Sequence, residues 1–333
     1  MKFKEKSIEI ARIDLEDTRF RITTRSEIPH LSASIHEVGL ITMPILKQKG
    51  TGFIIISGFR RIDACILLGI AQVKARILDE GVGDPASIKI AITENAFQRP
   101  LDLIEQARAV HLLGTYFNDT ALGKIASGLG LPGNPTIFKK LKGIYNLSPP
   151  LQGYLLNSTL SLTTALELGT LDDPAGTALA DLFDELKTSL NKQKEIINLI
   201  REIALIEGGS MLEVLQESEL HKIINSKDFD RTQKTAAIRF CLKKKRFPAI
   251  TVCEESFKKI VTGLRLGEGI KLVPPKNFEG QGYKLTIAFK SYAELEKRQV
   301  TLNRIVGGEE IKAIFNACTK AITRTDIDYF KPG

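Results

Sequence analysis

The chain has 333 residues, 43% of them hydrophobic, enough for two or three packed domains. Its longest apolar runs, such as residues 64–71, fall far short of the roughly 20 residues that span a bilayer. An excess of 47 basic over 39 acidic residues gives a net charge of +8, which favours polyanionic partners. Four scattered cysteines (Cys65, Cys241, Cys253, Cys318) contain no CxxC pair and read as reduced thiols rather than a zinc site or a disulfide framework.

Residues 1–100 read as mixed α/β. The opening MKFKEKSIEIARIDLED has no apolar signal core, so a cytoplasmic location is expected. Within it SIEIARIDL alternates as a short strand. Ile28, Leu31, Ile35 and Val38 stand at helical spacing before Gly39, which predicts a helix ending there. MPILKQKG and GFIIISG read as a hairpin across Gly50-Thr51-Gly52. A helix follows from Phe59 to Leu68, then VKARIL as a strand, then PASIKIAITENAFQ as a helix closed by Pro100.

Residues 101–178 read as all helical. In DTALGKIASGLGLPGNPTIFKKLKGIYNLSPPLQ, Leu122, Ile125 and Ala126 predict the buried face of one helix. Residues 128–133 predict a turn, and residues 136–143 a second helix with Ile137, Phe138 and Leu141 inward. That leaves Asn134, Thr136, Lys139, Lys140 and Lys142 as a polar face. The lysines would neutralise phosphates, and Asn134 or Thr136 could reach base edges. A plain helical hairpin fits the same spacing.

Residues 179–230 read as a helical connector, with Asn191 the expected cap of KQKEIINLIREIALIE. Residues 231–333 switch to a small α+β domain. FPAITV and YKLTIAF read as strands, EESFKKIVTGLRLG and YAELEKRQVTLNRIV as helices. RTQKTAAIRFCLKKKRF carries seven basic and no acidic residues; it suits either a phosphate backbone or a solvated helix face.

Three stretches of the first domain carry chemistry. In Ser57-Gly58-Phe59-Arg60-Arg61 a strand runs through glycine into a helix. Unpaired N–H groups at a helix start attract anions, and two guanidinium groups there could grip phosphate oxygens. Solvated helix-start arginines are the alternative. In TENAFQR, Glu94 and Asn95 offer adjacent hard oxygens suited to Mg²⁺ on a nucleotide, with Arg99 a turn further on; a solvated helix end is the alternative. VGLITMPIL, passing through Gly39 and Leu40, could wall the same pocket.

Together these stretches resemble the ParB family, whose N-terminal domain is related to sulfiredoxin. The family's order is G-L-x-x-P-I, G-E-R-R, E-N-x-x-R. Here it reads Gly39-Leu40 to Pro44-Ile45, then Gly58-Phe59-Arg60-Arg61, then Glu94-Asn95 to Arg99, agreeing in order and spacing over residues 7–115. The resemblance implies an α+β protein with a ParB/sulfiredoxin-like α/β domain, a helix-turn-helix domain and a divergent C-terminal α+β domain. It implies a site for CTP and Mg²⁺ formed by Gly39, Leu40, Ser57, Gly58, Arg60, Arg61, Asn95 and Arg99. Glu94 and Asn95 would hold the metal, and Glu94 would serve any slow CTP hydrolysis.

It further implies a homodimer on double-stranded DNA, acting as a nucleotide-controlled clamp or switch in chromosome or plasmid partition, with a ParA-type ATPase as partner. A ParB-like nuclease, or a regulator without nucleotide control, stands as the alternative. One departure is plain: the family's glutamate in G-E-R-R is Phe59. Sulfiredoxin itself needs a cysteine there.

Overall fold

Phe53-Ile54-Ile55-Ile56 is buried on both faces, the signature of a strand at the centre of a covered sheet. The structure, a computed structural model, describes residues 3–24, 27–278 and 282–314. The chain divides into two units, residues 1–184 and 185–333.

In chain order the first unit begins with β1 (Lys4–Glu9), a 3-10 turn, β2 (Ile13–Asp14), α1 (Pro29–Val38), β3 (Ile45–Lys49) and β4 (Gly52–Ser57). It continues with α2 (Phe59–Leu67), β5 (Gln72–Leu78) and α3 (Asp84–Ala96). The strands form one sheet in the order β1-β5-β3-β4-β2. Pairings β1–β5 and β3–β4 are antiparallel, while β3–β5 and β2–β4 are parallel. The expected hairpin across Gly50-Thr51-Gly52 is β3–β4, bulged between Ile45 and Leu46. Leu46, Ile56, Ile62 and Ile92 are all fully buried between sheet and helices.

The helical remainder of this unit is α4 (Leu103–Gly114), α5 (Asp119–Gly128), α6 (Pro135–Tyr145), α7 (Pro149–Leu156), α8 (Leu162–Leu168) and α9 (Asp173–Leu186), the last carrying the chain into the second unit. Asp102 and Glu105 form a capping box that starts α4. Both α5 and α6 pack against α4.

The second unit contains α10 (Leu190–Glu207), α11 (Met211–Gln216), α12 (Ser218–Ile224), α13 (Arg231–Arg246), α14 (Pro248–Leu264), the hairpin β6 (Ile270–Val273) and β7 (Lys284–Ile287), and α15 (Tyr292–Gly307). Leu264, Leu266, Ile270, Ile305 and Ile314 form one of its buried clusters. The mixed helix-and-strand class read from the sequence is the one found.

Four local expectations are corrected. FPAITV is the start of α14, not a strand. Pro248 at the first helical position presets the helix, and the amphipathic run after it overrides the β-branched composition. Ser189, not Asn191, is the N-cap residue of α10, since the backbone is extended at Ser189 and Asn191 is already helical. In α1 only Ser32 and Ile35 are buried. Ile28 stands outside as the N-cap residue and Val38, last in the helix, is 59% exposed. In α6 Ile137 is 38% exposed, and Phe138, Leu141 and Ile144 form the inner stripe.

Of the seven basic residues in α13, five are held in ion pairs: Lys234 to Glu185, Arg239 and Lys243 to Glu195, Lys245 to Glu207 and Glu217, and Arg246 to Glu202. Cys65 and Cys253 are buried, and burial pushes the Cys65 thiol up; Cys318 lies outside the described residues. No helix among the described residues is long and apolar enough to cross a membrane.

Leu46, fully buried in the middle strand of the sheet, tests this core. Leu46→Ala is expected to lower unfolding free energy by about 3 kcal/mol, measured by urea denaturation.

Candidate functional site

The site begins where β4 ends. Gly58 caps α2 with φ 96° and ψ 23°, a left-handed conformation that glycine adopts readily. A Cβ there would lie 2.9 Å from Pro44 Cβ. The glycine therefore lets two of the three stretches, residues 39–45 and 57–61, touch.

Arg61 joins them to the third. Its Nη1 donates to the carbonyl oxygens of Thr42 at 3.1 Å and Met43 at 3.0 Å. Its Nη2 donates to Glu94 Oε1 at 2.8 Å and Oε2 at 3.1 Å. The Ser57 hydroxyl donates to the same carboxylate, and Gln98 Nε2 approaches it at 3.3 Å. Arg60 points elsewhere: its Nη2 donates to the Glu27 carbonyl at 2.6 Å, and its buried Nε has no hydrogen-bond partner among the described residues.

A cavity of about 500 Å³ opens beside this junction. Gly58, Arg60, Arg61, Asn95, Gln98 and Arg99 form its polar side; Phe20, Ile22, Leu31, Ile56 and Phe59 form its apolar side. Phe59, standing where a glutamate was expected, is buried, with the Arg21 guanidinium over its ring at 5.6 Å. A ring there extends the apolar side rather than contributing charge.

The sequence-predicted residues therefore divide. Gly58, Arg60, Arg61, Asn95 and Arg99 line the cavity, whereas Gly39, Leu40, Ser57 and Glu94 do not. Gly39 caps α1 at φ 78°. Ser57 is buried with its hydroxyl on Glu94. Asn95 uses its amide nitrogen on the Ala91 carbonyl at 2.8 Å, which leaves its amide oxygen as the group able to ligate a metal. Among the described residues no group of three or more His, Cys, Asp or Glu side chains is placed to hold a metal ion.

Arg99 is bound from behind. Its Nη1 and Nη2 each donate to a Glu105 oxygen at 2.6 Å. Glu105 is fully buried and also accepts from the amides of Asp102 at 3.1 Å and Thr24 at 3.2 Å. Burial pushes its carboxyl up, but the Arg99 and amide hydrogen bonds and the Arg99 charge outweigh burial and hold it below the ordinary carboxylate range. Sequence reading passed over Glu105 as a site residue, although Asp102-x-x-Glu105 before an apolar run is a legible capping box.

The second candidate surface is on α5 and α6. Asn134 caps α6, its Oδ1 accepting from the Thr136 amide at 2.8 Å. Lys142 pairs with Asp119 at 3.0 Å. Thr136, Lys139 and Lys140 are exposed, and the two lysines line a shallow cavity of about 400 Å³ with Gly143, Leu147 and Gly169.

A depressed folded-state pKa means that the Glu105 contribution to stability is complete above the unfolded-state value of about 4.3 and is lost as pH falls through the folded-state value. Wild type is expected to lose more stability in that window than Glu105→Gln, as read by denaturation midpoints from pH 6 downward on an order-of-one-unit grid. Parallel curves would remove Glu105 as the responsible group.

The ParB N-terminal domain family matches residues 4–96. A probable chromosome-partitioning protein ParB of Chlamydia pneumoniae is 29% identical over 238 residues, covering 69% of this chain and 80% of the relative. A probable chromosome-partitioning protein ParB of Rickettsia bellii is 33% identical over 136 residues, covering 41% of this chain and 45% of the relative. Among solved structures, the C-terminally truncated chromosome-partitioning protein ParB from Caulobacter crescentus, complexed with CTP-gamma-S, aligns at 23% identity and a TM-score of 0.26, covering 55% of this chain and 99% of that one. Residues 4–96 form a ParB N-terminal domain, and the similarity to ParB proteins continues beyond it, over 238 aligned residues.

Proposed function

We propose that the protein is a DNA-binding partition protein whose cavity takes CTP with Mg²⁺ and which works, as a homodimer, as a nucleotide-controlled clamp or switch on double-stranded DNA. The observation that carries this reading is the convergence of three distant stretches on one cavity, lined by Thr42 from the first, Gly58, Arg60 and Arg61 from the second, and Asn95 and Arg99 from the third. Relatives described as chromosome-partitioning proteins support the cellular role at the nucleoid, and the family resemblance extends it to a ParA-type ATPase partner.

The cavity suits a nucleotide in its two-sided chemistry. The apolar wall of Phe20, Ile22, Leu31 and Phe59 can cover a base or sugar, and the glycine and guanidinium side can receive phosphates. Arg60 is the more available cation. Arg61 can turn to phosphate only if Glu94 finds another counter-charge, and Mg²⁺ bound with the nucleotide would supply one. The amide oxygen of Asn95 and the Glu94 carboxylate are the groups that would hold the metal, with Glu94 the candidate for any slow hydrolysis.

DNA would lie along α6, its phosphates met by Lys139 and Lys140 and its bases approached by Thr136, in a helix-turn-helix arrangement of α5 and α6. Nucleotide closes such a clamp only if it binds the closed state more tightly than the open one. A regulator without nucleotide control is the second reading; Phe59 and the engagement of Arg61 by Glu94 favour it.

CTP and ATP binding measured with and without duplex DNA separates the two readings. On the first, CTP binds and Arg60→Ala weakens it by about tenfold to a hundredfold, the scale of a hydrogen bond to a charged group, without lowering thermal stability. No CTP binding by wild type under any DNA condition would favour the second. Lys139→Ala with Lys140→Ala is expected to weaken DNA affinity and flatten its log–log salt slope by about one unit per lost phosphate contact, read by fluorescence anisotropy across a salt series.

A further inference from the structure

The cavity wall from Phe20 to Thr24 contains neither strand nor helix. Such a segment keeps one position only if its backbone groups are held by other parts of the chain. Here they are held by α4. Arg108 Nη1 donates to the Thr23 carbonyl at 3.0 Å and approaches the Ile22 carbonyl at 3.4 Å. Glu105 Oε1 accepts from the Thr24 amide at 3.2 Å, and Asp102 Oδ2 accepts from the Thr24 hydroxyl at 2.7 Å. Asp102, at the cap, with Glu105 and Arg108 follows the three-residue spacing that keeps side chains on one helix face. The same Glu105 grips Arg99 with both oxygens. Ile22, Thr23 and Arg99 all line the cavity, whereas α4 lies beyond the residues 4–96 that match the family domain.

We infer that Asp102, Glu105 and Arg108 are positioning residues for the anion cavity. They touch no ligand. They set the loop that forms one wall and aim the guanidinium that forms another, so the cavity is incomplete without the first two turns of α4. This assignment rests on the nucleotide reading of the cavity.

Arg108 offers the cleanest test, because it is only half-buried and its replacement leaves no charge stranded in the interior. Lysine at this position can still donate to one of the two carbonyl groups; methionine, similar in length, can donate to neither. The full-length chain and its Arg108→Met, Arg108→Lys and Glu105→Gln variants are titrated with CTP in Mg²⁺ and with inorganic tripolyphosphate in Mg²⁺. Duplex DNA affinity without nucleotide and thermal melting are measured alongside.

Arg108→Met is expected to weaken both ligands by about tenfold, the loss of one hydrogen-bond equivalent. Arg108→Lys should recover most of that loss, with DNA affinity unchanged in both. Wild-type ligand affinity in Arg108→Met, no recovery with lysine, or an equal loss in DNA binding would each overturn the assignment. Glu105→Gln should follow Arg108→Met in ligand affinity; if it does not fold, the Arg108 pair decides alone. If wild type binds neither ligand, the reading of the cavity fails and the assignment with it. If wild type binds and Arg108→Met binds equally, the cavity reading stands and only the role of α4 falls.

Discussion

The pairing of Arg61 with Glu94 ties together the three stretches that define the N-terminal site. Arg61 sits in the first turn of α2, Glu94 near the end of α3, and the Thr42 and Met43 carbonyl groups just before β3. Both terminal nitrogens of one planar guanidinium are thus used to fix relative positions. The pair is neither dry nor fully exposed, its side chains retaining 15% and 18% of their accessibility. In that range a charge pair is screened less than on an open surface and costs less desolvation than in a core. Arg61 is consequently a fastener of the fold as well as a candidate phosphate-binding group, and its neighbour Arg60 is the residue in which the two roles separate.

Glu105 shows the opposite regime. A fully buried carboxylate is tolerated because Arg99 and two backbone amides meet its oxygens. Removing one partner leaves an uncompensated charge, so the cluster behaves as a unit. It fastens the start of α4 to the loop before α1. Further along α4, His111 stacks on Tyr145 of α6 with centroids 3.6 Å apart and an 8° interplanar angle. One helix therefore contacts the cavity wall through its first turns and the basic α6 through its last, and the chemistry of both candidate surfaces depends on where that helix lies.

Legibility in the sequence followed the range of the forces involved. The β3–β4 hairpin, α2, β5 and α3 could be read because two-residue and 3.6-residue periodicities, glycines and prolines are local signals. The convergence of Gly58, Arg60, Arg61, Asn95 and Arg99 was legible only through the family motif, since composition does not bring residues 58 and 99 together. Cap placement failed where two residues competed, as with Ser189 and Asn191, because backbone geometry rather than side-chain preference decides. FPAITV failed because Pro248 is both a strand breaker and a helix starter, and the amphipathic continuation decides between them. Glu105 and Arg108 failed as site residues because their importance lies in partners about 80 positions away.

Net charge misleads most where it is densest. The helix α13 holds seven basic residues, yet Glu185, Glu195, Glu202, Glu207 and Glu217 are placed against five of them. Ion pairs of this kind cancel most of the field a polyanion would feel, and their acidic partners would repel a phosphate backbone brought to the same face. In α6 the balance differs. Lys142 is paired with Asp119, whereas no ion pair holds Lys139 or Lys140 among the described residues. Two exposed lysines beside a shallow cavity, with an exposed threonine one turn earlier, offer a phosphate a better-matched surface than seven that are mostly neutralised. The location of counter-charges, not the number of cations, is what distinguishes α6 from α13 as a surface a phosphate backbone could meet.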